Sequence, residues 1–304
     1  MTRPNADAPW AGHAVAVLGA GIMGSAMASA LERAGVSVSI YNRTPERASA
    51  LEGPRVRVAR TPMEAASGAA TVISCVRDDA ASDVVWFGPA GAVHGMRAGA
   101  VGIECSTLSV RCVDRWAARL TERGLKALDC PVTGSKSAAA AGSLTLFLGG
   151  RAQEYPEVEP VLKALSSQQF WLGAAGRGMR FKMLYNQLGG TILVALAEAL
   201  ALGQAYGLDL NEVVEALSQN TNGWSASAAA SKGRSMVRGQ HEPVACAVQT
   251  MVKDLTYARE DAQRFQLDLP AAGAALGALQ GTVANGLGAC DMSAVAQGLL
   301  RQHE

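Results

Sequence analysis

No strong charge of either sign marks this chain: 27 basic side chains against 26 acidic ones leave a formal net charge near +1. A nucleic-acid surface needs a clustered basic excess, so that class of partner is excluded. Long apolar runs are also missing. None approaches the roughly 20 residues that span a bilayer, and no membrane partner is expected. The opening stretch MTRPNADAPWAGH lacks the apolar core of a signal peptide and reads as a loose polar tail over residues 1–12. Cysteines are few, at 75, 105, 112, 130, 246 and 290, without a CxxC pair. The four histidines are not spaced with them as metal ligands, so no metal site is expected. Cys75, Cys105 and Cys130 fall in or beside predicted strands, where a free thiol acts as a small hydrophobe. The chain therefore reads as a reduced, cytoplasmic, soluble protein.

What is present is a two-part pattern. The length of 304 residues suffices for two domains, each with its own core. In the first half, AVAVLG, VSVSIYN, TVISCV, AVGIECS and LKALDCP are nearly continuous apolar runs, which predicts buried parallel strands. Amphipathic stretches at 22–34 and 109–123 lie between them as helices. The alternation predicts an α/β domain with a doubly wound, Rossmann-type sheet. LTLFLGG and FWLG, near 170, are expected to extend that sheet at one edge. After GAAGRG the character changes: from about Arg177 to Tyr206 there is no proline and no strand-like alternation. Such a helix of about 30 residues would be about 45 Å long. Everything beyond it reads as helix and loop. The predicted domains are residues 1–175, nucleotide-binding, and 176–304, all-helical, for substrate and dimerisation.

The stretch VAVLGAGIMGSAMASALERAGVSVSIYNRT holds glycines at 19, 21 and 24 between a strand and a helix, with a second strand ending about 20 residues on. That context is what a dinucleotide pyrophosphate requires. Gly19 permits the tight turn, Gly21 lets the backbone approach the phosphates, and Gly24 lets the helix pack close to the strand. The helix N-terminus adds free N–H groups. Enzymes that prefer NAD place Asp or Glu at the end of the second strand, where it would repel a 2′-phosphate. This chain has Asn42, Arg43 and Thr44, a cation with two hydrogen-bonding neighbours, so NADP is expected over NAD.

In GRGMRFKMLYNQLGG, Lys182 and Asn186 stand four apart on one helix face with Gly178, Gly189 and Gly190. A face without bulky side chains admits a ligand or a packed neighbouring helix; spacing alone leaves both open. Four ordered blocks then carry a resemblance: LGAGIMGSAMA, DCPVTGSKSAAAAGSLTLFLGG, GRGMRFKMLYNQ and VKDLTYA. In these the chain resembles the β-hydroxyacid dehydrogenase family, which includes 3-hydroxyisobutyrate dehydrogenases, tartronate semialdehyde reductases and glyoxylate/succinic semialdehyde reductases. The resemblance implies that Lys182 is the catalytic acid/base and that Asn186 helps hold the substrate. It implies substrate contacts at Thr133, Gly134, Ser135 and Asp254. The implied cofactor contacts are Gly19, Ala20, Gly21, Ile22, Met23, Gly24, Asn42, Arg43, Thr44, Cys75, Val76, Thr107 and Lys253, with Ser106 beside them.

The chemistry suits those roles. Hydride delivery to a carbonyl carbon leaves negative charge on oxygen, which a nearby ammonium stabilises and protonates. Donors of the PVTGS turn suit a substrate carboxylate, which must be anchored to aim the carbonyl. There are departures from the family pattern. Threonine stands at 133 where many members have serine. The Gly-Ser-Lys continuation, ending at Lys136, is more like the glyoxylate and succinic semialdehyde branch. Cys246 replaces a frequent Phe, and Trp224 is either a substitute wall or an anchoring loop aromatic. For Lys253 and Asp254 the plain alternative is a solvated helix pair of little consequence. The leading expectation is an NADPH-dependent reductase of a small aldehyde- or keto-carboxylic acid. Alternatives are an NADP-dependent dehydrogenase of a 3-hydroxy acid, an imine reductase, and a non-catalytic relative, against which Lys182 argues. The apolar content of the long helix predicts a homodimer or homotetramer.

Overall fold

The apolar runs of the first half are strands in the computed structural model, which describes residues 14–220 and 226–300; the expected tail and Trp224 lie outside the described residues. Strands β1 (Ala14–Leu18), β2 (Ser37–Tyr41), β3 (Val56–Val58), β4 (Thr71–Ser74), β5 (Val101–Glu104) and β6 (Lys126–Asp129) form one sheet. Its order is β3-β2-β1-β4-β5-β6, and every pairing is parallel. β4 and β5 are buried at every position, which is why they read as unbroken apolar runs. β3 was not anticipated: it is three residues long, on the edge, with Arg57 exposed at its centre. The winding reverses direction between β1 and β4, and in such sheets the crevice outside the strands' carboxyl ends at that point binds ligands.

Helices α1 (Ile22–Arg33), α2 (Pro45–Ser49), α3 (Pro62–Ala66), α4 (Asp79–Phe87) and α5 (Val110–Thr121) connect these strands. Their starts follow local chemistry. Proline opens α2 and α3, while Asp78 and Ser109 accept backbone N–H groups at the start of α4 and α5. α1 buries Gly24, Ala26, Ala28 and Ala30, small residues that let it lie close to the sheet, together with Met27 and Leu31.

The later apolar runs do not extend this sheet. β7 (Val132–Thr133), β8 (Leu144–Leu148) and β9 (Ser166–Trp171) form a separate three-stranded sheet, with α6 (Lys136–Ala141) and α7 (Glu159–Leu165) between them. The reason is Pro131, two residues past the end of β6, which has no N–H to carry the ladder on beyond Cys130. β7 then pairs antiparallel with β8, and an antiparallel bridge between Asp129 and Gly149 links the two sheets.

The helix expected from Arg177 is α8 (Arg177–Ala205), 29 residues long. The first compact unit of the chain reaches Lys182 and the second begins at Met183. The second unit is helical, with α9 (Leu210–Gln219), α10 (Ala226–Ala228), α11 (Arg234–Arg238), α12 (Val248–Arg264) and α13 (Pro270–Thr282). Leu193, Val194, Ala197 and Leu200 of α8 pack with Val248, Met251, Leu255, Leu276 and Leu279 in its core. A Cβ on Gly190 would stand 2.8 Å from Leu255 Cδ1 and 3.0 Å from Met251 Sδ. At that position the glycine face therefore admits a packed helix. By length and composition alone α8 is long and apolar enough to cross a membrane. Its inward side chains are instead the core of the second unit.

Candidate active site

The glycine turn shows which of its glycines the chain itself demands. Gly19 has φ +112°, and a Cβ there would lie 2.3 Å from the Cys75 carbonyl oxygen. A Cβ on Gly24 would lie 2.0 Å from the Gly19 carbonyl oxygen. Both positions exclude a side chain. A Cβ on Gly21 would meet nothing within 4 Å. The protein's own packing does not need that glycine, and the room beside it is the cradle a phosphate backbone requires. Ile22 is exposed and Met23 half-buried at the start of α1.

The turn is tied to the end of β2. Gly19 N–H donates to the Tyr41 carbonyl at 2.8 Å. Ala20 N–H donates to Asn42 Oδ1 at 2.9 Å, and Asn42 Nδ2 donates to the Thr44 carbonyl at 2.8 Å. The Ala20 N–H and much of the Asn42 amide are thus spent inside the protein, holding the loop that carries Arg43. Arg43 and Thr44 are exposed. Cys75 N–H donates to the Leu18 carbonyl, and burial pushes its thiol up to about 12, so it stays neutral. Val76 N–H donates to Ser106 Oγ at 2.8 Å, and Thr107 follows, half-buried. The loops after β1, β2, β4 and β5 are therefore brought together.

On the second sheet, Thr133 ends β7 half-buried and Gly134 follows at φ +136°. Ser135 is engaged locally: its Oγ accepts from Ala138 N–H at 3.1 Å and lies 2.7 Å from Ser137 Oγ. Lys136 is exposed. Lys182, on the second turn of α8, is only 7% exposed. In the second unit Asn186 is 8% exposed, and its Nδ2 donates to Asp254 Oδ2 at 2.7 Å. An ionised carboxylate only accepts, so Asp254 turns the amide nitrogen toward itself. Lys253 Nζ stands 3.1 Å from Asp254 Oδ1 and 5.4 Å from the centre of the Tyr257 ring. Asp254 is 1% exposed, so this is not a solvated surface pair. Cys246 is half-buried, in a segment held by Asp291, whose Oδ2 accepts from Ala245 and Cys246 N–H.

Two carboxylates that the sequence pattern did not single out stand at strand ends. Glu104, fully buried, accepts from Ser106 N–H through Oε1 and from Ser82 Oγ and Trp86 Nε1 through Oε2. Burial raises its carboxyl against those donors. Asp129 accepts from Gly176 and Met179 N–H. Burial raises its carboxyl to about 6, opposed by those backbone donors and by Arg180. The available signal was an acid closing a strand directly after apolar residues, in VGIE and KALD.

Among known proteins, the profile of the NAD binding domain of 6-phosphogluconate dehydrogenase matches residues 14–173. That of the NAD-binding region of NADP-dependent 3-hydroxyisobutyrate dehydrogenase matches residues 176–299. The chain belongs to the β-hydroxyacid dehydrogenase family. It is an NAD(P)-dependent oxidoreductase of that family. A glyoxylate/succinic semialdehyde reductase 2, chloroplastic, of Arabidopsis thaliana is 30% identical over 94% of this chain and 79% of its own. An L-threonate dehydrogenase of Cupriavidus necator is 31% identical over 86% and 87%. A 3-hydroxyisobutyrate dehydrogenase structure from Salmonella typhimurium superposes with a TM-score of 0.83 at 29% identity, covering 94% of this chain and 99% of that one.

Two outcomes test the geometry. Gly24→Ala is expected to cost about 1–3 kcal/mol by overpacking against the Gly19 carbonyl. Gly21→Ala should stay within about 0.5 kcal/mol of the parent. It should nonetheless weaken NADPH binding by about tenfold or more. Urea midpoints and NADPH fluorescence read the two effects, and equal destabilisation by both substitutions would contradict the division of roles. The second outcome concerns pH. The folded Asp129 carboxyl, near 6, holds its proton more tightly than the ordinary 3.8. Its contribution to stability is therefore full below about pH 4 and is lost as pH rises through 6. Asp129→Asn should gain about 3 kcal/mol on the parent between pH 4 and pH 7. A gap that does not change over that range would refute a raised carboxyl.

Proposed function

We propose that the enzyme reduces the carbonyl of a small aldehyde- or keto-carboxylic acid of the glyoxylate or succinic semialdehyde type, using NADPH, with Lys182 as proton donor. The observation that carries this reading is the burial of Lys182. Lysines are almost never buried without a task or a partner, and this one stands one helical turn before an asparagine whose amide is held by a buried aspartate. When bound, the dinucleotide supplies the hydride. Gly19, Gly21 and Gly24 leave its phosphates the backbone, with the N–H groups of Ile22 and Met23 at the helix start. Arg43, exposed and without a carboxylate neighbour in NRT, suits a 2′-phosphate. Thr133, Gly134 and Ser135 suit the substrate carboxylate. Asn186 orients the carbonyl, and the Lys182 ammonium gives its proton to the oxygen as charge builds there. Lys253 and Asp254 support Asn186 and the cofactor.

The same residues run backwards would oxidise a 3-hydroxy acid with NADP, a second reading favoured by the matched profile of the second half. The chemistry is supported by a family whose named members act on small hydroxy acids and their carbonyl counterparts. A reducing, cytoplasmic setting suits the buried thiols of Cys105, Cys112 and Cys130. Leu184, Leu188 and Ile192 of α8, spaced by four and exposed in the single chain, support a homodimer or homotetramer.

The test is a matrix of rates with NADPH or NADH against glyoxylate, succinic semialdehyde and tartronate semialdehyde, and with NADP against 3-hydroxyisobutyrate. Lys182→Ala should lose at least about a hundredfold in turnover while still binding NADPH. Smaller losses would remove Lys182 from the acid/base role. In the same matrix Arg43→Asp should shift preference toward NADH; an unchanged cofactor ratio would refute the 2′-phosphate contact. Sedimentation at micromolar protein should give a dimer or larger, and a monomer would refute the apolar stripe as an interface.

A further inference from the structure

The last residue of β6 reaches far along the chain. Asp129 is 1% exposed, and its side chain spans 47 and 50 residues to the start of α8. Oδ1 accepts from Gly176 N–H at 2.6 Å and Oδ2 from Met179 N–H at 2.8 Å. Its backbone carbonyl accepts from Gly149 N–H at 2.8 Å. Three oxygens of one residue thus hold the first turn of α8 and the end of β8. Two glycines make the space. A Cβ on Gly149 would stand 2.0 Å from Asp129 Oδ1, and one on Gly178 would stand 2.3 Å from the Phe147 carbonyl and 2.9 Å from Asp129 Oδ2.

The first amides of a helix lack partners within it, and a negative group there is favoured by the helix dipole. The common solution is an adjacent Ser, Thr, Asp or Asn at the surface. Here the acceptor comes from the sheet and is buried, a costly arrangement for a carboxylate. Two bonds to two different amides fix both the axial position and the rotation of the first turn of α8 at the end of β6. The first turn has another tie, a fork from Arg180 to both carboxylate oxygens of Asp114 at 3.0 and 2.8 Å, but both side chains are 43% exposed, so water screens the pair.

We infer that Asp129 is a positioning residue: by gripping the first turn of α8 it sets where the Lys182 amine, three residues beyond Met179, stands for proton transfer. This rests on Lys182 being the acid/base. Displacement of a reacting group by about 1 Å can cost on the order of a hundredfold in rate, so a slack grip would be felt in turnover before it is felt in folding.

The experiment is a double-mutant cycle on the full-length protein with NADPH and succinic semialdehyde. Asp129→Asn keeps the shape but can no longer offer two charged acceptors. It should lower kcat about tenfold or more, with the NADPH dissociation constant within about twofold of the parent and a thermal midpoint at pH 7 no lower than the parent's. On a Lys182→Ala background the same substitution should cost no further rate, because its effect passes through the amine. Asp114→Asn, the exposed tie on the same turn, should leave kcat within about twofold. Amide hydrogen exchange of the unmodified protein should find Gly176 and Met179 strongly protected, a readout that holds even if the variant does not fold. The inference is overturned by an unchanged kcat in Asp129→Asn, by a further loss of full size on the Lys182→Ala background, or by rapid exchange at those two amides. Failure of the acid/base reading looks different: Lys182→Ala itself would keep its turnover.

Discussion

The carbonyl oxygen of Gly19 occupies the place where a side chain on residue 24 would put its first carbon, and the nucleotide half of the enzyme depends on that contact. Because α1 can close onto the turn, its N-terminal amides lie at the carboxyl edge of β1, and Gly21 faces open room. The Cys75 carbonyl presses on Gly19 from the other side, so β4 takes part in the same constraint. Hydrogen bonds from Gly19 and Ala20 to the end of β2 complete it. The loop bearing Arg43 is therefore bonded to the glycine turn and not merely near it. Steric exclusion at two atoms thus organises a site of four loops.

Buried carboxylates do similar work at the strand ends on the other side of β1. Glu104 gathers Ser82, Trp86 and Ser106, and Ser106 in turn holds the Val76 amide. Asp129 gathers the start of α8 and the end of β8. Both carboxyls are raised by burial, so their ionised forms cost stability at neutral pH. Groups that cost stability while ordering loops at the edge of a parallel sheet are understandable as organisers of function. Asp254 follows the same logic in the second unit, where it is sequestered and directs the Asn186 amide.

Much of this was legible in the amino-acid sequence, for definite reasons. Strands buried on both faces, such as β4 and β5, leave unbroken apolar runs, and β1, β2 and β6 also lie in the expected runs although β2 alternates between buried and open positions. β3 was not legible because Arg57 interrupts three residues at an edge. LTLFLGG looked like a continuation of the first sheet because periodicity reports burial and not partnership; Pro131 sends it to a sheet of its own. The glycine motif could be read for purpose, since spacing and context fix its backbone path. Asn42 was expected beside Arg43 as a hydrogen-bonding neighbour of the cofactor; its bonds inside the protein, to Ala20 and Thr44, were not legible. Asp129 and Glu104 escaped notice because their side-chain oxygens reach partners 47 to 50 and 18 to 22 residues away, with only Ser106 close to Glu104 in the chain. The face containing Gly178 and Gly190 was ambiguous between ligand and packing, and at those two positions protein atoms take the space.

The central claim is that this fold delivers a hydride from the dinucleotide to the carbonyl carbon of a small acid while an amine protonates the oxygen. The most direct measurement is the fate of the label when NADPH carrying deuterium at the transferring position of C4 is turned over with succinic semialdehyde. The account predicts a hydroxy acid with one deuterium on the carbon that bears the new hydroxyl. An unlabelled hydroxy acid, or no consumption of NADPH with this or any other small carbonyl acid, would contradict it.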